Sequence, residues 1–289
     1  MESTRLLACP ALSHQPSSWP VWFQASWAFR QSAFADVDPA VKNPYESTHE
    51  LMLFSANAAT YRSYMKSLGG ANGLDAVYGQ GIENLTHEQK RMAPYMVEWL
   101  CLMGDEKCLS INKDYFDRVR RGELSWRQIN VNIRDFAINY GVRASQDRDD
   151  LEWLVEQREQ LGDRKFFEAL SFTTDVEFVV TYLDSLVDKD NDAFVAAIRQ
   201  MGKSHYLRDP IFEYLIERQV DLSVNDWNNV LVTLCHYIQT LEDLVRVEEL
   251  GDRQDISTAS CKSSYESNVA WQEKYGNQIV TWLRTRPQN

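Results

Sequence analysis

The chain has 289 residues, 44% of them hydrophobic and 12% aromatic, enough apolar content to exclude a disordered polypeptide. Its formal charge of −12 argues against nucleic acid as a partner, because phosphate contacts need clustered Lys and Arg. No apolar run approaches the roughly 20 residues that would span a bilayer, so no transmembrane segment is expected.

Taken in chain order, residues 1–15 read as an N-terminal extension and residues 16–289 as one helical domain. The apolar stretch Leu6–Leu12 is short and interrupted by Pro10, a poor match to a signal peptide. The stretch Asp36–Tyr45, with Pro39 and Pro44, reads as loop. Helix starts follow at short intervals. Ser47–Glu50, Thr86–Gln89, Ser125–Gln128 and Thr174–Glu177 each fit a capping box, in which the first and fourth side chains satisfy orphaned backbone donors reciprocally. Asp209-Pro210 reads as an N-cap followed by proline at the first helical position. Gly69-Gly70, Gly104, Gly122, Gly141, Gly162, Gly202 and Gly251 read as helix stops.

Between these marks apolar residues keep helical spacing. One face is Tyr95, Met96, Trp99, Leu100 and Met103, and another is Trp126, Ile129, Ile133, Phe136, Ala137 and Tyr140. Val179, Tyr182, Leu183 and Leu186, then Ile211, Tyr214 and Leu215, then Val230, Leu231, Leu234 and Ile238, continue the pattern. No alternating stretch suggests a strand. Short amphipathic helices must stack on neighbours to be stable. The expected fold is therefore all-α, an α-α superhelix of HEAT/armadillo-like helix pairs, although no self-similar repeat stands out.

Catalytic and metal sites find no support, and no cofactor is expected. His49-Glu50 and His87-Glu88 open like a zinc helix, but Leu53 and Arg91 stand where its second histidine belongs. His14, His205 and His236 are isolated. Asp147, Asp149 and Asp150 resemble a diphosphate-magnesium cluster that fails at Trp153; Asn225-Asp226 resembles its second half and fails at Asn229 and Thr233. Both read as solvated helix starts. Neither a glycine-rich phosphate loop nor a nucleophile elbow is present.

Cys101 and Cys108 flank Gly104 at a helix end, close enough in sequence for a disulfide, yet the residues alone favour buried free thiols. Cys9, Cys235 and Cys261 have no evident partner. Asn84-Leu85-Thr86 is a candidate N-glycosylation sequon before a helix start.

The C-terminal segment carries a family resemblance. Ser257–Ser260, Ser267–Trp271 and Ile279–Leu283 look like the closing helices of M1 zinc aminopeptidases, of the aminopeptidase N and endoplasmic-reticulum aminopeptidase group. Upstream, Tyr182–Asp184 and Ser204–Leu215 are similar to that family's helix and its Asn-Pro-x-Gly-Arg segment, with Arg208 at the arginine. Asn132–Asp135, Trp99–Cys108, Trp19–Ala25 and Tyr61–Lys66 resemble further helices in the same order, so the likeness runs from about Thr4 to Leu283. It implies a HEAT-like superhelix and a Cys101–Cys108 disulfide. A second family disulfide is missing, with Asn139 and Phe172 near its expected places.

The zinc helix and exopeptidase motif of the parent enzymes lie outside the resembling domain, which implies no zinc, no catalytic residue and no enzymatic activity here. The expected role is a non-catalytic module that binds a peptide or protein on a concave face, the partner including an aminopeptidase catalytic domain. The alternatives are a C-terminal fragment of a membrane or secreted zinc aminopeptidase acting in peptide N-terminal trimming, and a cytosolic α-solenoid scaffold. The family implies an extracellular, cell-surface or luminal location; the weak leader implies the cytoplasm if Met1 is the true start.

Overall fold

The computed structural model describes residues 97–276 apart from 146, 188, 219 and 237, together with residues 58, 59, 61–63, 74, 78 and 281. By internal contacts the chain divides into units Met1–Tyr45 and Glu46–Asn289, and all the described residues belong to the second. Among them there are helices and turns and no strand, so the fold is all-α. The N-terminal extension, the capping boxes at Ser47 and Thr86, Gly69-Gly70, Asn84 and the Ile279–Leu283 motif lie largely or wholly outside the described residues.

Helical residues 97–102 are followed by α1 (Glu106–Arg120), a 3-10 turn (Trp126–Gln128), α2 (Arg134–Ala144), α3 (Arg148–Glu156), α4 (Arg158–Leu161) and α5 (Asp163–Leu170). Then come α6 (Val176–Leu186), α7 (Asn191–Met201), α8 (Arg208–Glu217), α9 (Val224–Cys235), α10 (Leu241–Gln254) and α11 (Ala259–Trp271).

Several starts and stops differ from the sequence expectation, each for a local reason. The capping box at Ser125 is present, the Ser125 amide donating to Gln128 Oε1 at 2.7 Å, but it opens only a 3-10 turn. The Asn130 side chain accepts from the Asn132 amide at 3.0 Å, and this local bond competes with helix until Arg134. Ile129, Ile133, Ala137 and Tyr140 are still buried on one side, although the helix is not continuous. The cap of α6 is Asp175 rather than Thr174, with the Phe178 amide donating to its carboxylate at 2.9 Å. Helix α8 begins at Arg208, so Pro210 sits at the third helical position, where its missing N–H costs nothing.

Gly104, at φ 76°, is a left-handed turn between two helices. Gly141 instead lies inside α2. A Cβ there would sit 2.4 Å from Phe116 Cβ, so the glycine is a point of close helix approach rather than a stop. Gly251 likewise lies inside α10, pressed against Thr258, and the left-handed residue that ends α10 is Asp255.

Helix α1 packs on α2 and α2 on α5; from there each helix packs on the next but one. One row is α5, α7, α9 and α11, the other α6, α8 and α10. Phe166, Phe194, Ile198, Leu215, Trp227 and Leu234 belong to the common core. The second row is also laced by charge. Asp184 on α6 accepts from Tyr214 at 3.0 Å and Arg218 at 2.6 Å, and Arg246 on α10 donates to Glu213 on α8 at 2.5 Å. Arg208 and Asp243, both buried, pair at 3.1 Å.

The acidic group that begins α3 divides into two roles. Asp147 is the N-cap, accepting from the Asp149 amide at 3.0 Å. Asp150 is buried, 3.1 Å from Lys113 Nζ, and also bonded to Arg120 and Ser145. Burial alone would raise its pKa; the hydrogen bonds from Ser145 and Lys113 and the two nearby positive charges overcome this and hold the carboxyl below its usual range. Stability from this lowered pKa is present above the unfolded value near ~4 and is lost as pH falls through the folded one. Asp150→Asn is expected to cost about 1–3 kcal/mol at pH 7, measured by urea unfolding. The gap to wild type should narrow below pH ~4; a gap unchanged with pH would refute the charged role.

Candidate functional site

The first turn of the site is closed by cysteines. Cys101 and Cys108 are both fully buried and at disulfide distance, with Cα atoms 5.2 Å apart across the Gly104 turn. Asp105 caps α1 by accepting from the Cys108 amide at 2.9 Å. Asn112, one turn further along, is fully buried and seats the pair: its amide donates to Cys101 Sγ at 3.1 Å and to the Cys108 carbonyl at 2.9 Å. Tyr78 donates to the Asn112 carbonyl oxygen at 3.1 Å. Burial pushes the Tyr78 phenol above its ordinary pKa.

The carbonyls of residues 101 and 102 lie at a helix end, where no further helical amides follow to satisfy them. Arg143, in the last turn of α2, supplies the donors. Its Nη1 reaches the Cys101 carbonyl at 3.0 Å and the Leu102 carbonyl at 2.8 Å. Its Nη2 donates to the Tyr206 hydroxyl, and the guanidinium carbon lies 4.8 Å from the Tyr206 ring centre. A second guanidinium, Arg62, stands 6.0 Å from the same ring. The His205 ring lies beside that of Tyr206, centre to centre 3.8 Å, tilted by 42°.

Burial, with the positive charge of Arg62 adding to it, pushes Arg143 below its ordinary pKa. A guanidinium nevertheless stays protonated in proteins. Two cations therefore lie close to one aromatic ring in an otherwise acidic chain, and among the described residues neither has a carboxylate partner. The Arg62 Nε is buried and has no hydrogen-bond partner among them. Arg62, Arg143 and Tyr206 are each half-buried, leaving part of every side chain open to solvent. Such a cluster suits a carboxylate, which a guanidinium binds through two parallel hydrogen bonds. The Tyr206 hydroxyl accepts from Arg143 and has its own O–H left to donate.

None of these three residues was singled out as functional by the sequence. They come from three separate segments, and an arginine in a helix's last turn reads only as a match to the helix dipole. Arg208, which the sequence resemblance places at a family arginine, is not part of the cluster; it is held in the buried pair with Asp243. Among the described residues no group of three His, Cys, Asp or Glu side chains is placed to hold a metal ion.

A further cysteine pair corrects the expectation that Cys235 and Cys261 lack partners. They are buried at disulfide distance, with Cα atoms 5.0 Å apart, joining the end of α9 to the start of α11. Their separation of 26 residues hid the pairing, because helix α10 intervenes. Asn139, near one place where a family cysteine was expected, faces Glu168 at 3.5 Å, and Phe172, near the other, packs edge-on against Tyr140 at 5.0 Å. If both bridges form, alkylation of the denatured but unreduced chain should modify one cysteine, and reduction should release all five. Peptide mapping should then link 101 to 108 and 235 to 261; additional reactive thiols would show that a bridge is absent.

No curated protein sequence matches the chain. The family description "ERAP1-like C-terminal domain" matches residues 52–264, which include Arg62, Arg143, Tyr206 and both cysteine pairs. The chain belongs to the ERAP1-like C-terminal domain family, a C-terminal domain of M1 aminopeptidases.

Proposed function

We propose that the chain is a non-catalytic peptide-binding module that grips its ligand by a carboxylate at Arg62, Arg143 and Tyr206. The observation that carries this reading is the pair of guanidiniums on one tyrosine ring without a carboxylate among the described residues. Like charges held together in a half-buried site favour an anionic ligand that neutralises them. Arg143 donates from Nη1 to the carbonyls of residues 101 and 102 and from Nη2 to Tyr206, so Arg62 has the larger share of its donors left for the ligand. The two rows of helices support the further reading that the stack curves into a HEAT-like superhelix, with the peptide on its concave face. This binding needs no cofactor.

The test is binding of a short neutral peptide, acetylated at its N-terminus, with either a free C-terminal carboxylate or an amide. The free acid should bind at least about tenfold more tightly, the worth of a charge-assisted hydrogen bond. Arg62→Ala should abolish the preference while leaving the unfolding midpoint little changed. Equal binding of acid and amide would overturn the reading.

The family match favours a second reading, in which the chain serves as the C-terminal part of a zinc aminopeptidase that trims peptide N-termini. Its location would then be extracellular or luminal, which two buried cysteine pairs at disulfide distance also support. Genomic sequence upstream of and in frame with Met1 should, on this reading, encode a His-Glu-x-x-His helix. A stop codon in that frame, without a splice junction, would reject it.

A further inference from the structure

We propose that the Cys101–Cys108 bridge is a positioning element for the carboxylate site, so that affinity for the ligand depends on this bridge and not on Cys235–Cys261. The proposal rests on the carboxylate reading of Arg62, Arg143 and Tyr206, and deepens it by naming what sets the geometry of that site.

The chain of contacts is short and continuous. The Gly104 turn reverses the backbone between helical residues 97–102 and α1, and the bridge ties the two sides of that turn at a Cα separation of 5.2 Å. The Cys101 carbonyl accepts from the Gly104 amide at 2.9 Å and from Arg143 at 3.0 Å, so a bridging residue is itself a ligand of the guanidinium. The neighbouring Leu102 carbonyl accepts from Arg143 at 2.8 Å. Together these two oxygens fix the plane of the guanidinium. That plane in turn fixes how Arg143 meets the Tyr206 ring and hydroxyl.

A helix end is the part of a helix that frays most readily, and a turn hinged on a glycine adds freedom. Covalent closure removes that freedom where Arg143 needs two carbonyls held in register. Asn112 completes the arrangement from the other side, since its amide spans Cys101 Sγ and the Cys108 carbonyl. A site whose supporting groups wander by a fraction of an ångström loses much of its binding. The second bridge has no such link. It joins α9 to α11, and none of the contacts of Arg62, Arg143 or Tyr206 described above reaches either cysteine.

The two double variants Cys101→Ala/Cys108→Ala and Cys235→Ala/Cys261→Ala separate positioning from stability, because each removes one bridge. Both should lower the thermal midpoint. The dissociation constant for the free-acid peptide, measured well below both midpoints, should rise about tenfold in the first and stay within twofold of wild type in the second. An unchanged constant in the first variant, or equal losses in both, would overturn the proposal. If the first variant does not fold, Asn112→Ala keeps the bridge but removes its seat. That variant should weaken the acid peptide at least threefold without weakening the amide, and unchanged acid binding would again overturn it. The amide control separates the two levels: no acid preference in wild type sinks the carboxylate reading itself. A preference that survives loss of the bridge sinks only the positioning role.

Discussion

A guanidinium that gives up water must recover its hydrogen bonds from the protein, and Arg143 recovers them from the end of a neighbouring helix. Of the carbonyls it takes, that of Cys101 also accepts from the Gly104 amide, while that of Leu102 lies at the helix end, where a cap is needed. One side chain thus satisfies the helix end and is itself satisfied. It also lies against the negative end of a helix dipole, which favours the cation that burial disfavours. Helix α2, the cysteine-closed turn and the turn before α8 meet at this residue, and the candidate site is what they enclose.

Around it, the two rows of helices are held by different means. Along α5, α7 and α9 the contacts are mainly apolar, with Phe194, Ala197 and Ile198 fully buried in the middle helix. Along α6, α8 and α10 ion pairs and hydrogen bonds add to the apolar core. Exposed pairs such as Arg218–Asp184 add little stability singly, but the Arg208–Asp243 pair is buried, with Asp209 also accepting from Arg208 and Arg246 3.9 Å from Asp243, and so helps to specify how α8 meets α10. Much of the chain's net negative charge is carried on solvent-facing positions of these helices. That leaves the Arg62–Arg143 cluster as a local exception to an acidic surface.

The all-α fold was largely legible in the sequence because it depends on periodicity. Val179, Tyr182, Leu183 and Leu186 fall on the buried face of α6 as their spacing requires. Positions where a residue's role depends on a distant partner were not legible. Gly141 and Gly251 resemble stops, and only the proximity of Phe116 and Thr258 shows that they are contact points inside helices. Trp126, Ile129 and Ile133 continue a helical period, but the Asn130 side chain diverts the backbone between Ile129 and Arg134. Cys235 and Cys261 carry no local sign of each other. The site is the extreme case: Arg62, Arg143 and Tyr206 lie far apart in sequence, in segments whose local pattern says only helix, helix and turn.

The bridge between α9 and α11 has a mechanical consequence. Helix α11 buries only Cys261 completely, so its attachment otherwise relies on partly buried contacts such as Tyr265 and on Asn268 donating to the carbonyls of His236 and Ile238. With the two sulfurs joined, a pull on the C-terminal end is transmitted from Cys261 directly to Cys235. Helix α10, enclosed in the covalent loop, then lies outside the line of tension. The segment from 236 to 260 cannot be drawn out as extended chain, and the load falls instead on the end of α9, whose Leu231 and Leu234 are set in the core.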